Sequence, residues 1–210
     1  VHRLPTTGPE TWSITLAGCP NLIGMNEHGL FWGTTNIKTN DARIGVGYMD
    51  VLHRASRCQD REVAIALIAD APRCGAHTYW LADSSGATEL ECSATRHERR
   101  DCTDVPLVQT NHCLAPCIAE LAAEPVSSSS ARRLRRATDA LAHGPVSIDD
   151  IRRLFADRSD GVDSISRLPE DGTDTTTNAC IIARPQRREL LCCRGPADRG
   201  QWRHLRFQGS

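Results

Sequence analysis

No apolar run in this chain approaches the ~20 residues that a membrane-spanning helix requires, so no membrane is expected among its partners. The opening Val1-His-Arg-Leu-Pro5 has neither an initiator Met nor an apolar h-region, and does not read as a signal peptide. It reads as the interior of a longer chain. Lysine is almost missing: Lys38 is the only one, and the other basic residues are Arg. Arginine suits carboxylate and phosphate recognition, although codon bias explains the same composition. An excess of either charge is missing too. The net charge of −1 argues against nucleic acid as a partner.

What is present is ordinary globular material. The 210 residues, 40 % hydrophobic and 24 % charged, suit one domain with a real core, placed at 1–207 with 208–210 as a tail. Ten cysteines call for an explanation. A secreted disulfide scaffold is usually shorter and carries an export signal. Here the cysteines sit in apolar text, as in Ala179-Cys180-Ile181-Ile182 and Leu190-Leu191-Cys192-Cys193. They read as small buried hydrophobes in a reduced, cytoplasmic protein.

Period-2 alternation at Trp12, Ile14 and Leu16 predicts a strand. Leu22 to Met25, the turn Asn26-Glu-His-Gly29 and Leu30 to Asn36 predict a hairpin. Helical spacing runs over 47–57 and 61–71. A second hairpin is expected at Thr78–Ala82 and Ala87–Ala94, around Asp83-Ser-Ser-Gly86. After Ser127-Ser-Ser-Ser130, a helix is predicted over 131–142, stopped by Gly144-Pro145. Another is capped by Ser147 and reaches about Arg158. A third hairpin joins Asn178–Ala183 to Glu189–Cys193. Hairpins rather than helical crossovers predict an α+β fold, with mostly antiparallel sheets covered by helix pairs.

Two polar patches stand out. Val105-Pro-Leu-Val-Gln109 reads as a strand running into Thr110-Asn-His-Cys113, and Asp163-Ser-Ile-Ser-Arg167 lies in a polar loop. An amide at a sheet edge can donate to a carbonyl oxygen that gains charge, or simply tie down a strand end. Arg167 reads equally as a solvated charge. His112, Cys113 and Cys117 invite a metal, but a second ligand pair is lacking, so none is assigned. In Arg132-Arg-Leu-Arg-Arg136 the stripe Leu134, Ala137, Leu141 points to a solvated helix face rather than a nucleic-acid contact.

In order along the chain, these segments resemble the acyl-coenzyme A:6-aminopenicillanate acyltransferase family of autoproteolytic N-terminal nucleophile hydrolases. Leu16 to Leu30 is similar to the family's "AG…GxNxxG" hairpin, and Gly33-Thr-Thr-Asn36 and Gly45-Val-Gly-Tyr48 continue in register. Thr110-Asn-His matches its "TNH" patch, Ser164-Ile-Ser-Arg167 its "SxxR" segment, and Arg184-Pro to Gly195-Pro196 its last hairpin. The resemblance implies an αββα sandwich and a Cys that becomes N-terminal by self-cleavage. Its thiolate attacks an acyl carbonyl while its α-amine acts as base. By the same resemblance Asn111 is the oxyanion donor and Arg167 the catalytic arginine. No cofactor is implied. The implied partners are a small N-acyl substrate, acyl-CoA as a candidate donor, and a missing N-terminal segment of the same precursor.

The chain departs from the family where the catalytic Cys and an Asp-bearing segment should stand, and it is expected to begin just downstream of both. Cys19 has no free α-amine and is a poor substitute. Two other readings stay open: a non-catalytic small-molecule-binding domain of the same fold, and a Cys/His metal-binding module.

Overall fold

Alternating burial through the first half of the chain becomes a seven-stranded antiparallel sheet. The computed structural model describes residues 1–142, 144 and 146–207, so the expected Pro145 stop and the 208–210 tail lie outside the described residues. Strands β1 (His2–Arg3), β2 (Thr11–Ile14), β3 (Ile23–Asn26) and β4 (Phe31–Asn36) pair in chain order. Helices α1 (Tyr48–Ala55) and α2 (Arg61–Asp70) intervene before β5 (His77–Asp83), β6 (Gly86–Cys92) and β7 (His97–Asp101) complete the sheet.

Side-chain parity divides that sheet into two faces. Trp32 opposite Leu81 and Tyr79 opposite Leu90 turn one face toward α1 and α2, where Val51, Leu52, Ala64 and Ile68 close a buried core. Phe31, one residue earlier, turns to the other face. A three-stranded antiparallel sheet, β8 (Ala179–Arg184), β9 (Glu189–Arg194) and β10 (Trp202–Leu205), covers part of that face. Met25, Leu190 and Phe207 are buried between the sheets, with Phe31 and Ile181 packed against them. Helix α5 (Ile148–Phe155) touches β8 and lays Arg152 over the Trp202 ring at 4.9 Å. The layers are helix, sheet, sheet, helix.

The β3–β4 hairpin depends on two glycines and one amide. Gly29 adopts φ +86°, and a Cβ on Gly24 would stand 2.3 Å from the Trp12 carbonyl oxygen. Asn26 is fully buried. Its Oδ1 accepts from His28 and Leu30 N–H at 3.1 Å each, while its Nδ2 donates to Ser56 O at 3.1 Å and Cys58 O at 2.8 Å. One side chain therefore closes the turn and ties it to the end of α1. A comparable junction is made by Arg73, 3 % exposed, which donates to Ile68 O, Ala69 O, Ser93 O and Arg96 O at 2.6–3.2 Å. It closes the C-terminus of α2, where a cation is favoured, and fixes the β6–β7 turn.

Two expectations need correcting. The Val105–Gln109 strand does not form: residues 102–115 join no ladder, and adjacent Leu107 and Val108 both line one cavity instead of alternating. Helix α4 (Ser128–Leu141) starts three residues earlier than expected, with Ser127 accepting from Ser130 N–H at 3.2 Å as its cap. Strand β7 was not expected: it is a polar strand, His-Glu-Arg-Arg-Asp, that no apolar alternation announces. A four-residue helix α3 (Pro116–Ala119) was also unannounced. Among the described residues no helix is long and apolar enough to cross a membrane.

Replacing Asn26 with Ala should lower unfolding stability by about 3 kcal/mol, because two carbonyls and two N–H groups lose their partner in a dry site. Urea denaturation measures this; a change below about 1 kcal/mol would show that the hairpin holds without the amide.

Candidate active site

The two patches seen in the sequence meet on the first turn of α4. Thr110 Oγ1 donates to Ser130 O at 2.9 Å, and His112 Nδ1 lies 2.7 Å from Ser130 Oγ. Asn111 Oδ1 accepts from Arg133 Nη2 at 2.9 Å, and its Nδ2 donates to Asn36 O on β4 at 3.1 Å. From the other side, Arg167 Nη2 donates to Ser129 Oγ, which also accepts from Arg133 Nε at 3.2 Å. Residues 111 and 167 are thus three hydrogen bonds apart, joined through Arg133 and Ser129. The serine run, which the sequence offered only as a lead-in to a helix, is the junction.

The orientation of Asn111 is fixed by chemistry. Its oxygen faces a guanidinium and its nitrogen faces a carbonyl, so a flipped amide would break both bonds. One amide hydrogen is used on Asn36 O. The second has no partner among the described residues, and Asn111 is exposed. A free, oriented N–H at the surface of a cluster is what a developing oxyanion requires.

Arg133 overturns the expectation of a solvated helix face at its own position. Arg132 and Arg136 do pair with carboxylates at the surface, Asp163 at 3.4 Å and Asp157 at 2.9 Å. Arg133 instead turns inward. Burial, and then the neighbouring charge of Arg167, push its guanidinium down to about 10. Burial first and Arg133 second also hold His112 below the usual histidine range. Beside Arg133 lies a cavity of about 510 Å³, walled by Phe31, Trp80, Leu154, Ile165 and Ile181. Asn111 itself lines a separate cleft of about 380 Å³, together with His112, Lys38 and Ser127.

What holds the 109–115 segment in place is a carboxylate from the sheet. Glu91 on β6 is 1 % exposed and accepts from Leu114 N–H at 3.0 Å and Ala115 N–H at 3.3 Å. Gln109 Nε2 reaches Glu91 Oε2 at 3.2 Å, Thr78 Oγ1 at 3.2 Å and His112 O at 2.9 Å. Burial raises the Glu91 carboxyl, and the two amides offset this in part. Neighbouring Glu89, fully buried, is raised by burial too and meets Arg100 at 2.5 Å.

Seven of the ten thiols are held above their ordinary value and are poorly suited to attack. Burial pushes Cys113, next to the Asn, up to about 11, with the Glu91 charge adding to it. It likewise raises Cys180 and Cys192 to about 11 and Cys92 to about 12. Cys117 donates to Glu98 Oε2 at 3.1 Å, which raises it. Cys19 lies in the β2–β3 connection, its Sγ directed at Asn21 O at 3.4 Å. Among the described residues no three His, Cys, Asp or Glu side chains gather as a metal site.

The family model described as acyl-coenzyme A:6-aminopenicillanic acid acyl-transferase matches residues 10–196, nearly the whole chain. The chain belongs to this family. Its fold is also that of solved N-terminal nucleophile hydrolases. Penicillin V acylase from Agrobacterium tumefaciens superposes with a TM-score of 0.61 at 13 % identity, covering 90 % of this chain and 67 % of that one. A cysteine-to-alanine mutant of conjugated bile acid hydrolase from Clostridium perfringens gives 0.54 at 11 %, covering 96 % and 74 %. Likeness at such identities speaks for the fold alone. No curated protein matches the chain.

Because burial raises Glu91, the folded state keeps a proton that the unfolded chain releases. Its contribution to stability is therefore fully present below the unfolded value of about 4.3 and lost as pH rises through the folded value. The stability of Glu91→Gln relative to the native chain should consequently improve as pH rises from 4 to 7. Urea midpoints at several pH values would show this; a constant difference would mean that Glu91 titrates as an ordinary exposed acid.

Proposed function

We infer that this chain is the larger part of a cysteine-dependent amide hydrolase or acyltransferase acting on small N-acyl compounds, whose nucleophile comes from outside these 210 residues. The observation that carries this reading is the oriented Asn111 amide. It has one N–H bound and one free, and its oxygen is held by Arg133, which lines an apolar cavity and is linked to Arg167 through Ser129. In this reading the thiolate of an N-terminal Cys, exposed by self-cleavage of a precursor, attacks the acyl carbonyl. Its own α-amine takes the proton, being a base matched to neutral pH. The carbonyl oxygen becomes an oxyanion and accepts from Asn111 Nδ2. Collapse expels the amine and leaves a thioester, which water or a second amine resolves. Arg167 contributes a permanent positive charge next to the reacting groups.

The elevated thiols support an external nucleophile. Cys113 is the cysteine nearest in sequence to Asn111, and at about 11 it holds almost no thiolate at neutral pH. The fold has no need of a metal or organic cofactor for this chemistry, since a thiolate, an amine and hydrogen-bond donors complete it.

The test is the protein extended upstream. It should cleave itself ahead of a Cys and then release amine from some member of a panel of N-acyl amides. In that protein, Asn111→Ala should lower kcat by about 10²–10³-fold, the usual cost of one oxyanion donor. Full activity in the variant rejects the assignment. A reading frame that opens with its own Met directly before Val1 removes the mechanism and leaves a non-catalytic binding domain of the same fold.

A further inference from the structure

Two of the ten free cysteines face each other across a strand pair. Cys180 on β8 stands directly opposite Cys193 on β9, so both side chains leave the same face of the three-stranded sheet. Two positions further out, Gly195 N–H donates to Asn178 O at 2.8 Å. Alternation along an antiparallel ladder therefore makes Cys180 and Cys193 a hydrogen-bonded pair, with Cα atoms about 5.5 Å apart. A disulfide needs about 4.4–6.8 Å between Cα atoms, so the backbone already has the spacing. Adjacent Cys192 points to the opposite face, where it packs against the core between the sheets, and cannot take either partner's place.

One loop covers both sulfurs. Cys180 Sγ lies 3.9 Å from Gly195 O, and Cys193 Sγ lies 3.6 Å from Pro196 O. A Cβ on Gly200 would stand 2.3 Å from Cys193 Sγ, so a glycine is what lets the loop close over the thiol. Both cysteines are buried, yet Asp198 and Arg199 in that loop are exposed and β8 is an edge strand. A single layer of backbone thus separates the pair from solvent. Burial raises both thiols, Cys180 to about 11, and the Asp198 charge adds to each. Arg152 on α5 works the other way on Cys193, as do the N–H groups of Ala197 on Cys180 and Gly200 on Cys193. Such thiols exchange slowly, and faster as pH rises.

We propose that Cys180 and Cys193 are a redox-responsive dithiol, which a low-molecular-weight disulfide oxidises to an intramolecular bond that braces β8 against β9. The thiolate of one cysteine attacks a sulfur of the reagent. The reagent's S–S bond breaks, a mixed disulfide forms and one reagent thiol leaves. The thiolate of the second cysteine then attacks the protein sulfur of that mixed disulfide and expels the other half as a thiol. The protein gives up two hydrogens with their electrons, and the reagent is reduced to two thiols. The brace lies close to the candidate site in the chain. Thr177, three residues before Cys180, donates its N–H to Arg167 O at 3.0 Å, and its Oγ1 accepts from Arg167 N–H at 3.0 Å. The dithiol itself is independent of the acyl-transfer reading.

Incubating the folded 210-residue chain with oxidised glutathione, then mapping peptides by mass spectrometry without reduction, tests this. A product lighter by two hydrogens should form, with the peptides that carry Cys180 and Cys193 joined. Its rate should rise about tenfold per pH unit between about pH 7 and 9, where thiols held this high gain thiolate. Cys180→Ser and Cys193→Ser should each stop at the glutathione adduct, whereas Cys192→Ser should still form the bond. Circular dichroism melts establish that the variants are folded. The oxidised native chain should melt about 5 °C or more above the reduced one, and the amides of residues 177–184 should exchange more slowly with deuterium. Joining of other cysteines in place of this pair overturns the proposal, as does a bond that forms only once urea has unfolded the chain. An oxidised chain that melts no higher than the reduced one overturns the brace.

Discussion

A carboxylate buried in a sheet decides where this molecule's polar groups go. Residues 102–115 have no ladder to satisfy their backbone, and they lie across the inner face of β5 and β6. Buried N–H groups there need partners from side chains. Glu91 supplies them, with Gln109 bridging between the carboxylate, Thr78 on the neighbouring strand and the backbone oxygen of His112. Burying an acid is unfavourable, and its raised carboxyl registers that. Two amide dipoles and a side-chain amide aimed at it recover part of the loss. What the sheet obtains is an irregular segment with a fixed course, and Asn111 rides on it.

The second constraint is the first turn of α4. An N-terminal helical turn presents polar side chains and unsatisfied amides, and four consecutive serines make it compatible with three different neighbours at once. Ser127 caps the helix, Ser130 receives Thr110 and His112, and Ser129 receives two guanidinium groups. Apolar residues in that turn would leave Arg133 and Arg167 facing each other without the acceptor they share. The two patches, more than fifty residues apart in the chain, converge on this turn: the first reaches Ser130 and Arg133, and the second reaches Ser129, which also accepts from Arg133. Among the described residues neither arginine is placed by an ion pair of its own, which is why the cluster keeps unspent donors.

Most of the framework was legible from local rules. The turns at Asn26–Gly29 and Asp83–Gly86, and the helical spacing of α1 and α2, are short-range signals, and each became the element expected. The resemblance of motif order to the acyltransferase family added the layering of two sheets between helices. The misreadings share a physical origin. β7 has no apolar face because a buried acid, Glu89, and an arginine stand where a hydrophobic pair would, so alternation could not announce it. Val105–Gln109 is apolar because Leu107 and Val108 line a cavity, which composition cannot distinguish from a strand. Arg133 was hidden within a basic run whose other members behave as surface charges. Only tertiary placement separates it from them, since Ser129 and Asn111 lie four residues back and across a loop. Asn111 and Arg167 themselves were visible through motif order, but the residue that connects them was not.

The site and the core are separable, and this bears on how the family's chemistry can be interrogated. The main core, Trp32, Leu52, Ile68, Tyr79 and Leu81 among others, lies between the seven-stranded sheet and α1 and α2. Asn111, Arg133 and Arg167 belong to neither that core nor the smaller one between the sheets. Asn111 is exposed, and its bonds are to one backbone oxygen and one guanidinium. Substituting it removes two hydrogen bonds at the surface, worth about 1–2 kcal/mol together, against a fold whose hairpins, helix ends and sheet packing are secured elsewhere. Arg133 is different in degree: removing it relieves a like-charge contact with Arg167 while releasing Asn111 and Ser129, two opposing effects on stability. A loss of binding or catalysis at any of the three is therefore attributable to the cluster's geometry and charge, and not to collapse of the sandwich that carries it.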